Sequence, residues 1–281
     1  MTSSNQNAID AANSSFWTTP CGTLAAQALG LADTSAASVR KFDDWYFEFY
    51  PYLKHHIGLA DAPNHDVLEV GLGYGSVAQK FMESAKSYSG LDIAEGPVLF
   101  ARHRADTLGV KADVRQGSIL APPWPDGSFD QIVAIGCLHH TGDLQRAISQ
   151  CHRLLRPGGT LRFMVYNSLS YRQLRDFPGH FARGIVGEFL GSGFHFDGAP
   201  GDRAKYDITP DGKAAPHTDF CSPRWLARAC ADFSSFKATL ENIDVDFNDA
   251  WFGRGKRNRE QLMKTGIPTR LGLDVYCCAQ K

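Results

Sequence analysis

The feature that most constrains the fold of this chain is a short apolar run that ends in closely spaced glycines. Residues 67–70 (Val-Leu-Glu-Val) are followed by Gly71, Gly73 and Gly75. A run of this kind is typical of a buried parallel strand, and glycines directly after it allow a sharp turn into a helix. Ligands bind at the carboxyl ends of the strands in such sheets, so this turn predicts a binding site.

Strand and helix patterns alternate over most of the chain. Helices are predicted over residues 76–86, 95–108, 143–155 and 223–233, and further strands over residues 88–93, 111–116, 129–136, 161–166, 240–247 and 273–279. This alternation predicts the α/β class, with a Rossmann-like, seven-stranded and mostly parallel sheet that carries helices on both faces. The last strand is expected to run antiparallel beside its predecessor.

Two segments fall outside that rhythm. Residues 1–60 are expected to form an N-terminal helical lid, because aromatic residues crowd an otherwise helical stretch there. Its polar and small residues 1–15 predict a disordered or loosely docked start. Residues 61–281 are expected to form the binding domain, with a cap inserted at about 168–220, where Gly, Pro, Asp and His residues are frequent.

Composition and charge exclude several function classes. The 281-residue chain has a formal net charge of −1, so nothing favours nucleic acid or an acidic membrane surface as a partner. The cysteines form no C-x-x-C pair and no HExxH motif occurs, so no metal site is expected. No apolar run approaches roughly 18 residues, which predicts no membrane span, and the scattered thiols without a signal peptide predict a cytoplasmic location. The basic run at 254–259 is interpreted as a solvent-exposed turn or helix face.

The glycine spacing helps to choose between nucleotide-type ligands. A dinucleotide loop reads G-x-G-x-x-G, whereas Ser76 stands here at the place of the third glycine, which disfavours an NAD-dependent oxidoreductase. Asp92 ends the second predicted strand about 21 residues after Gly71, where a carboxylate can accept both hydroxyls of a ribose. This acid indicates a nucleoside without choosing the cofactor.

Five segments, in order, carry a family resemblance. They are residues 67–75, 90–93 (Gly-Leu-Asp-Ile), 123–130 (Pro-Trp-Pro-Asp-Gly-Ser-Phe-Asp), 138–141 (Leu-His-His-Thr) and 154–159 (Leu-Leu-Arg-Pro-Gly-Gly). With this series the chain resembles class I methyltransferases that use S-adenosylmethionine (SAM), and within them the group called methyltransferase type 11. That group includes ubiquinone- and menaquinone-type enzymes and many natural-product enzymes. The resemblance implies SAM as cofactor and a small-molecule methyl acceptor as partner.

The resemblance also implies roles for residues around the glycine turn. Gly71 and Gly73 are expected to line the methionine part of SAM, with Glu69 either supporting the turn or contacting the cofactor directly. Asp92 is expected to hold the ribose, and Ile93 is expected to pack on the adenine ring.

Two later segments are expected to meet the cofactor as well. Relatives often place an acid after the third strand to bind the adenine amino group, but this chain has Ser118 and Ile119 there. The Ser118 hydroxyl is therefore expected to replace that acid. Gly136 and Cys137, at the end of the fourth strand, are expected to lie beneath the transferred methyl group.

The acceptor site is expected where the fourth and fifth strands end. His139 and His140 follow the fourth strand, and Tyr166 ends the fifth. A phenol, enol or alcohol usually needs a base before methyl transfer, and histidine suits that task near neutral pH. We hypothesise that one histidine of the pair faces the acceptor; the alternative is a packing motif that bonds a neighbouring loop. Tyr166 is interpreted as half core and half cleft wall.

The N-terminal aromatic residues are candidates for closing the site. Trp17, Tyr46 and Tyr50 are expected to cover SAM or the acceptor, because aromatic faces attract the sulfonium cation. The alternative is an ordinary interface between helix and sheet, which is the interpretation for Trp45 and Phe49.

These patterns leave several functions in competition. The favoured one is methyl transfer from SAM to oxygen or nitrogen of a small molecule, such as a natural product or another secondary metabolite. The alternatives are a quinone- or lipid-type C- or O-methyltransferase and a catalytically inactive SAM-binding regulatory subunit. Both a monomer and a homodimer fit the sequence.

Overall fold

The chain forms a mixed sheet with helices packed on both of its faces. The computed structural model describes residues 3–18, 29–30, 35–209, 211–243 and 255–281. The strands are β1 (Asp66–Val70), β2 (Ser87–Asp92), β3 (Ala112–Gln116), β4 (Phe129–Ile135), β5 (Leu155–Asn167), β6 (His195–Asp197), β7 (Asp219–Cys221), β8 (Ser235–Glu241) and β9 (Asp274–Gln280). The helices are α1 (Ser3–Trp17), α2 (Ala36–Phe49), α3 (Leu53–His56), α4 (Ser76–Ser84), α5 (Glu95–Leu108), α6 (Leu144–Leu154), α7 (Tyr171–Asp176), α8 (Pro178–Phe189), α9 (Pro200–Arg203), α10 (Pro223–Ala229), α11 (Gly255–Met263) and α12 (Pro268–Leu271).

The strand order confirms the predicted Rossmann-like sheet. Strands β3, β2, β1, β4 and β5 lie side by side in that order, and all of these neighbours run parallel. Strand β9 inserts antiparallel between β5 and β8, as expected for the last strand. The carboxyl ends of β1, β2 and β4 therefore meet at one edge of the sheet.

Successive side chains of the central strands pack into two different hydrophobic clusters. Leu68 and Ile132 belong to the cluster beneath α6 and α10, whereas their chain neighbours Val67 and Val133 belong to the cluster beneath α4 and α5. Strands that are buried on both faces explain why the sequence of β1 reads as a continuous apolar run. This double packing holds the edge of the sheet that carries the glycine turn.

Residues 3–17 form a helix, so the prediction of a disordered or loosely docked start was wrong for residues 3–15. Helix α1 docks on the turn after β4, where the Gln6 side chain donates to the Thr141 carbonyl at 2.7 Å. The Asn13 amide donates to the His140 carbonyl at 2.6 Å, and Asn13 is only 3% exposed. The side-chain amides of Gln6 and Asn13 hold this helix on the domain. Hydrophobic periodicity therefore could not predict that the helix docks there.

The inserted segment adds two short strands to the seven that were predicted. Residues 168–220 contain α7, α8 and α9 and the antiparallel pair β6–β7. Strand β7 continues the sheet by pairing parallel with β5 at Tyr166 and Asn167. The insertion thus lies at the carboxyl end of β5, beside the edge that carries the glycine turn.

Two C-terminal predictions need correction. The strand predicted at 240–247 is β8 and begins five residues earlier, at Ser235, where it pairs with Gln280 of β9. In the basic run, Arg259 is not solvated: it is 5% exposed, donates to the Ile243 carbonyl at 2.7 Å and lies 3.6 Å from the centre of the Phe49 ring. Cation–π contact with an N-terminal helix accounts for its burial. The structure of residues 244–254 lies outside the described part of the chain.

Candidate active site

One cavity at the carboxyl edge of the sheet gathers the residues that the sequence singled out. Its volume is about 440 Å³, which falls within the usual range for small-molecule sites. The sequence-predicted residues on its wall are Trp17, Tyr46, Tyr50, Glu69, Gly71, Gly73, Asp92, Ile93, Ser118, Ile119, Gly136, Cys137 and His140. All twelve residues expected near the cofactor thus share one cavity with one histidine of the pair.

The glycine turn needs glycine for two physical reasons. Gly71 has a φ of 77°, in the left-handed region that side chains rarely adopt. A Cβ built on Gly71 would lie 2.4 Å from the Cβ of Cys137, so the turn and the end of β4 touch there. Any side chain at Gly71 would push these two walls of the cavity apart.

Asp92 closes β2 and organises the backbone around it. Its two carboxylate oxygens accept hydrogen bonds from the Leu72 amide at 2.7 Å and the Ala94 amide at 2.8 Å. Burial raises the pKa of Asp92 to about 6, even though four backbone hydrogen bonds act to lower it. Hydroxyl donors from a ribose would favour the ionised form, because each added hydrogen bond stabilises the carboxylate.

Glu69 lies in the wall at the base of the turn. Its Oε2 accepts a hydrogen bond from the Tyr88 hydroxyl at 2.7 Å, and the residue is 3% exposed. Burial raises the pKa of Glu69 to about 8, so this carboxyl is mostly protonated at neutral pH. The bond to Tyr88 of β2 matches the supporting role for Glu69, since it ties β1 to β2 directly below the turn.

Ser118 and Ile119 form the far end of the cavity, after β3. The Gly117 amide donates to the Asp92 carbonyl at 2.8 Å, which brings this loop against the end of β2. The Ser118 Oγ accepts from the Leu120 amide at 3.3 Å, which leaves the hydroxyl proton available for another acceptor.

Aromatic rings from the N-terminal helices form another part of the cavity wall. The ring of Tyr46 lies 5.1 Å from that of Tyr50, and the ring of Trp17 lies 4.9 Å from that of His140. Trp45, which was interpreted as an interface residue, also reaches the cavity wall. Burial raises the pKa of Tyr50 well above its usual value, so its hydroxyl stays protonated. The wall therefore offers neutral rings to whatever the cavity holds.

His140 is held in one tautomer by the insertion. Its Nδ1 lies 2.7 Å from the carbonyl oxygen of His217, and a carbonyl only accepts, so Nδ1 carries the proton. The lone pair is then on Nε2, which lies 3.6 Å from Oδ2 of Asp207. Burial lowers the pKa of His140, which keeps the ring neutral near pH 7.

Of the histidine pair, His140 lies on the wall of the described cavity and His139 does not, and Tyr166, which was interpreted as half core and half cleft wall, is also absent from that wall. His139 is fully buried, with its ring 4.5 Å from the Tyr166 ring, and neither residue belongs to the wall of the described cavity. The Tyr166 hydroxyl donates to Oδ1 of Asp207 at 3.1 Å. His139 and Tyr166 therefore pack against each other away from this wall.

Asp207 is the functional candidate that the sequence did not reveal. It comes from the insertion and lies next to both His140 and Tyr166. Burial raises the pKa of Asp207, and among the described residues its Oδ2 has no hydrogen-bond partner. It sits among lysine, tyrosine and isoleucine in a loop without periodicity, so no local pattern could single it out.

The described ranges contain neither a metal-type cluster nor a spanning helix. No group of three or more His, Cys, Asp or Glu side chains in them is arranged to hold a metal ion. Likewise, none of the helices seen in these ranges is long and apolar enough to cross a bilayer.

The central part of the chain is similar to a known protein family. Residues 68–163 match the model of a family described as "Methyltransferase domain". This stretch runs from β1 to β5 and includes the glycine turn, Asp92 and His140.

Curated relatives and solved structures are similar over different lengths. The chain is 34% identical over 113 residues to a "probable S-adenosylmethionine-dependent methyltransferase" of Mycolicibacterium smegmatis, covering 40% of this chain and 42% of the relative. It is 31% identical over 118 residues to the ubiquinone biosynthesis O-methyltransferase of Azotobacter vinelandii, covering 41% of this chain and 49% of the relative. The alignments thus span less than half the length of these relatives. A SAM-dependent methyltransferase structure from Methanosarcina mazei superposes with a TM-score of 0.52 at 16% identity, covering 83% of this chain and 97% of that one, and supports the fold alone.

Proposed function

We propose that this chain is a class I SAM-dependent methyltransferase that transfers the methyl group of SAM to an oxygen or nitrogen atom of a small molecule; the match of residues 68–163 to a methyltransferase domain supports this proposal. The observation that carries this proposal is the single cavity that joins the glycine turn and Asp92 to a neutral histidine with an acid beside it. Natural products and other secondary metabolites are the acceptors we favour.

The residues in the cavity fit the cofactor. Gly71 leaves no room for a Cβ, so the turn offers bare backbone to the amino-acid part of SAM. Asp92 is a buried carboxyl whose raised pKa would fall on accepting ribose hydroxyls. Ile93 and Ile119 would flank the adenine ring, and the Ser118 hydroxyl would bind its edge. Gly73, Gly136 and Cys137 complete the expected contacts.

The acceptor end of the cavity supports a protic acceptor. SAM, when bound, supplies a methyl group on a positively charged sulfur that a nucleophile can attack in line. We assign His140 the task of taking the acceptor proton on Nε2, since its Nδ1 proton is committed to the His217 carbonyl. The carboxylate of Asp207, 3.6 Å from Nε2, would stabilise the charged ring that results. Tyr166 keeps Asp207 in place through its hydroxyl.

We assign the N-terminal helices and the insertion the tasks of lid and cap. Trp17, Tyr46 and Tyr50 support this assignment because they line the same cavity as the glycine turn. Their rings would exclude water and face the sulfonium cation, which aromatic faces attract. The domain boundaries at 1–60, 61–281 and about 168–220 stay predictions, as do the homodimer and the cytoplasmic location.

A quinone- or lipid-type acceptor is the second candidate, and a surface feature favours it. At the end of helix α8 of the insertion, Ile185, Val186, Phe189 and the C-cap residue Leu190 expose 49%, 56%, 89% and 71% of their surface. Apolar residues this exposed, on neighbouring turns of one helix, suit contact with apolar molecules. The similarity to a ubiquinone biosynthesis O-methyltransferase points in the same direction.

Binding calorimetry tests the proposal at its cofactor. The purified chain should bind SAM and its demethylated product with micromolar affinity and should show no heat with NAD. Binding of NAD in place of SAM would overturn the proposal. A regulatory subunit would bind SAM yet release no demethylated product with any member of a panel of phenols, amines and hydroxylated quinones, and the same panel separates the two acceptor classes.

A further inference from the structure

We infer that Asp43 and Arg104 are positioning residues that fasten helix α2 to the glycine turn, so that the aromatic wall and the cofactor-binding turn hold each other in place. This inference rests on the proposed function, because it concerns the site where SAM would bind. The two residues lie on α2 and α5, which are separated in the sequence by the whole glycine turn.

The contact between the two side chains is a bidentate ion pair. Nη1 of Arg104 donates to Oδ2 of Asp43 at 2.7 Å, and Nη2 donates to Oδ1 at 3.0 Å. Arg104 is 2% exposed and Asp43 is 8% exposed. Two parallel charge-assisted hydrogen bonds fix the relative orientation of the groups as well as their distance. Helix α2 is therefore held at one rotation about its axis.

The same pair also forms hydrogen bonds with Tyr74 and Ser76, at the end of the glycine turn. Nη2 of Arg104 donates to the Tyr74 carbonyl at 2.6 Å, and the Ser76 hydroxyl donates to Oδ1 of Asp43 at 2.5 Å. A Cβ built on Gly75 would lie 2.8 Å from Nε of Arg104, so the guanidinium lies directly against the turn. The arginine thus bonds the backbone of the turn, and the aspartate bonds the first residue of α4.

The aromatic residues of helix α2 that line the cavity lie next to this ion pair. Phe42, the chain neighbour of Asp43, lines the cavity together with Trp45 and Tyr46 on the next helical turn. The ring of Phe42 also stacks on Tyr74 of the glycine turn, with 4.2 Å between ring centres. Any rotation or slide of α2 would therefore move the cavity wall and the turn together.

A buried ion pair at this place indicates a role in fixing the orientation of α2 relative to the glycine turn. Replacing such a pair with apolar residues of similar volume is often neutral or stabilising for a fold, so burial of charge is a poor way to gain stability alone. The serine that distinguishes this turn from a dinucleotide loop has a task in the same network, since Ser76 supplies a hydroxyl where a glycine has none. We therefore infer that Asp43, Arg104 and Ser76 together position the glycine turn.

The test compares SAM affinity and amide hydrogen exchange in the full chain and in Asp43→Asn. The variant should bind SAM about 10- to 100-fold more weakly, as expected for loss of a hydrogen bond to a charged group. Exchange should become faster over residues 36–49 and 71–79 and stay unchanged in β4 and β5. Asp44→Asn is the matched control, because Asp44 is exposed on the same helix. It should match the parent chain in both measurements.

Two more variants keep the test decisive if Asp43→Asn fails to fold. Ser76→Ala retains the ion pair and should weaken SAM binding by a smaller factor, about 3- to 10-fold. Arg104→Lys retains the charge but not the fork, so it should behave like the loss of the pair. Full SAM affinity in Ser76→Ala and Arg104→Lys would overturn the inference. If the parent chain binds no SAM, the proposed function fails, and the exchange of residues 71–79 still decides whether the pair positions the turn.

Discussion

The two ends of the cavity are built in contrasting ways. At the cofactor end, the glycine turn, Asp92 and Ser118 all follow strands that are consecutive in the sequence and adjacent in the sheet. At the acceptor end, the wall carries His140, which follows β4, and Trp17 from the first helix, while Asp207 of the insertion lies behind His140. One end is a local pattern repeated along the chain, whereas the other is assembled from three distant segments.

Under the proposed function, this contrast would explain how the two ends divide the chemistry. The sheet edge supplies backbone and a carboxyl at fixed positions, which suits a cofactor whose structure never changes. Segments outside the sheet can vary without disturbing its core, which suits a site that selects one acceptor among many. Variants at the two ends should therefore affect different measured quantities.

The largest effect is expected from Gly71→Ala at the cofactor end. The added Cβ would meet Cys137 at 2.4 Å, so unfolding free energy should fall by about 1–3 kcal/mol beyond the backbone strain, and SAM binding should be lost. Gly109→Ala is the control, since Gly109 has a φ of 67° with nothing within 4 Å of the added atom. It should lose only the strain, about 1–2 kcal/mol, in urea unfolding. Equal losses in the two variants would contradict the close contact.

Asp92→Asn should have the next largest effect. An amide nitrogen would replace one of the two oxygens that accept from Leu72 and Ala94, so donor would face donor. We expect SAM affinity to fall by about 100-fold, equal to about 2.7 kcal/mol, with the exposed Asp106→Asn as control. In the parent chain, affinity should rise with pH through about 6 and then level off, because ribose hydroxyls prefer the carboxylate. A variant that binds SAM as tightly as the parent chain would rule out the ribose contact.

The residues around the glycine turn could be predicted from sequence, and so could His140 and Trp17, but the contacts that surround His140 could not. A buried strand, a glycine turn and an acid within one stretch of chain give a pattern whose spacing has a physical meaning. Helix α1 lacks such a pattern, since it is held by amides that reach the backbone 127 and 135 residues away. Asp207 depends on the fold of the whole insertion, and Arg259 depends on contact with Phe49. Contacts between residues so far apart in the sequence cannot be predicted from its hydrophobic periodicity.

Asp207→Asn should change the turnover rate without changing the affinity for SAM. The amide keeps the size of the side chain but cannot neutralise a protonated His140, so kcat should fall by about 10- to 100-fold. The affinity for SAM should not change, because the side chain of Asp207 contacts Tyr166 and His140, and none of its hydrogen bonds or ion pairs within the described residues reaches the glycine turn. Asp211→Asn, an exposed position in the same insertion, serves as control. A loss of SAM affinity with unchanged kcat would contradict the division between the ends.

The last prediction concerns Glu69 and the change in folding stability per pH unit. Because its pKa is raised to about 8 in the fold, the folded state holds a proton that the unfolded state releases above its ordinary range. The stabilisation is full below pH 4.5 and is lost as pH rises to about 8, at up to about 1.4 kcal/mol per pH unit. Glu69→Gln should flatten this slope in urea unfolding series while it keeps the bond from Tyr88. An unchanged slope would show that Glu69 is ionised in the fold.

A crystal structure of the chain with the demethylated product of SAM tests the central claim most directly. We predict that the ribose hydroxyls lie on the Asp92 carboxylate, with the amino-acid tail along Gly71 and the sulfur directed toward the end of the cavity that holds His140. A product bound at any other place on the chain, or a ribose that does not touch Asp92, would contradict the claim.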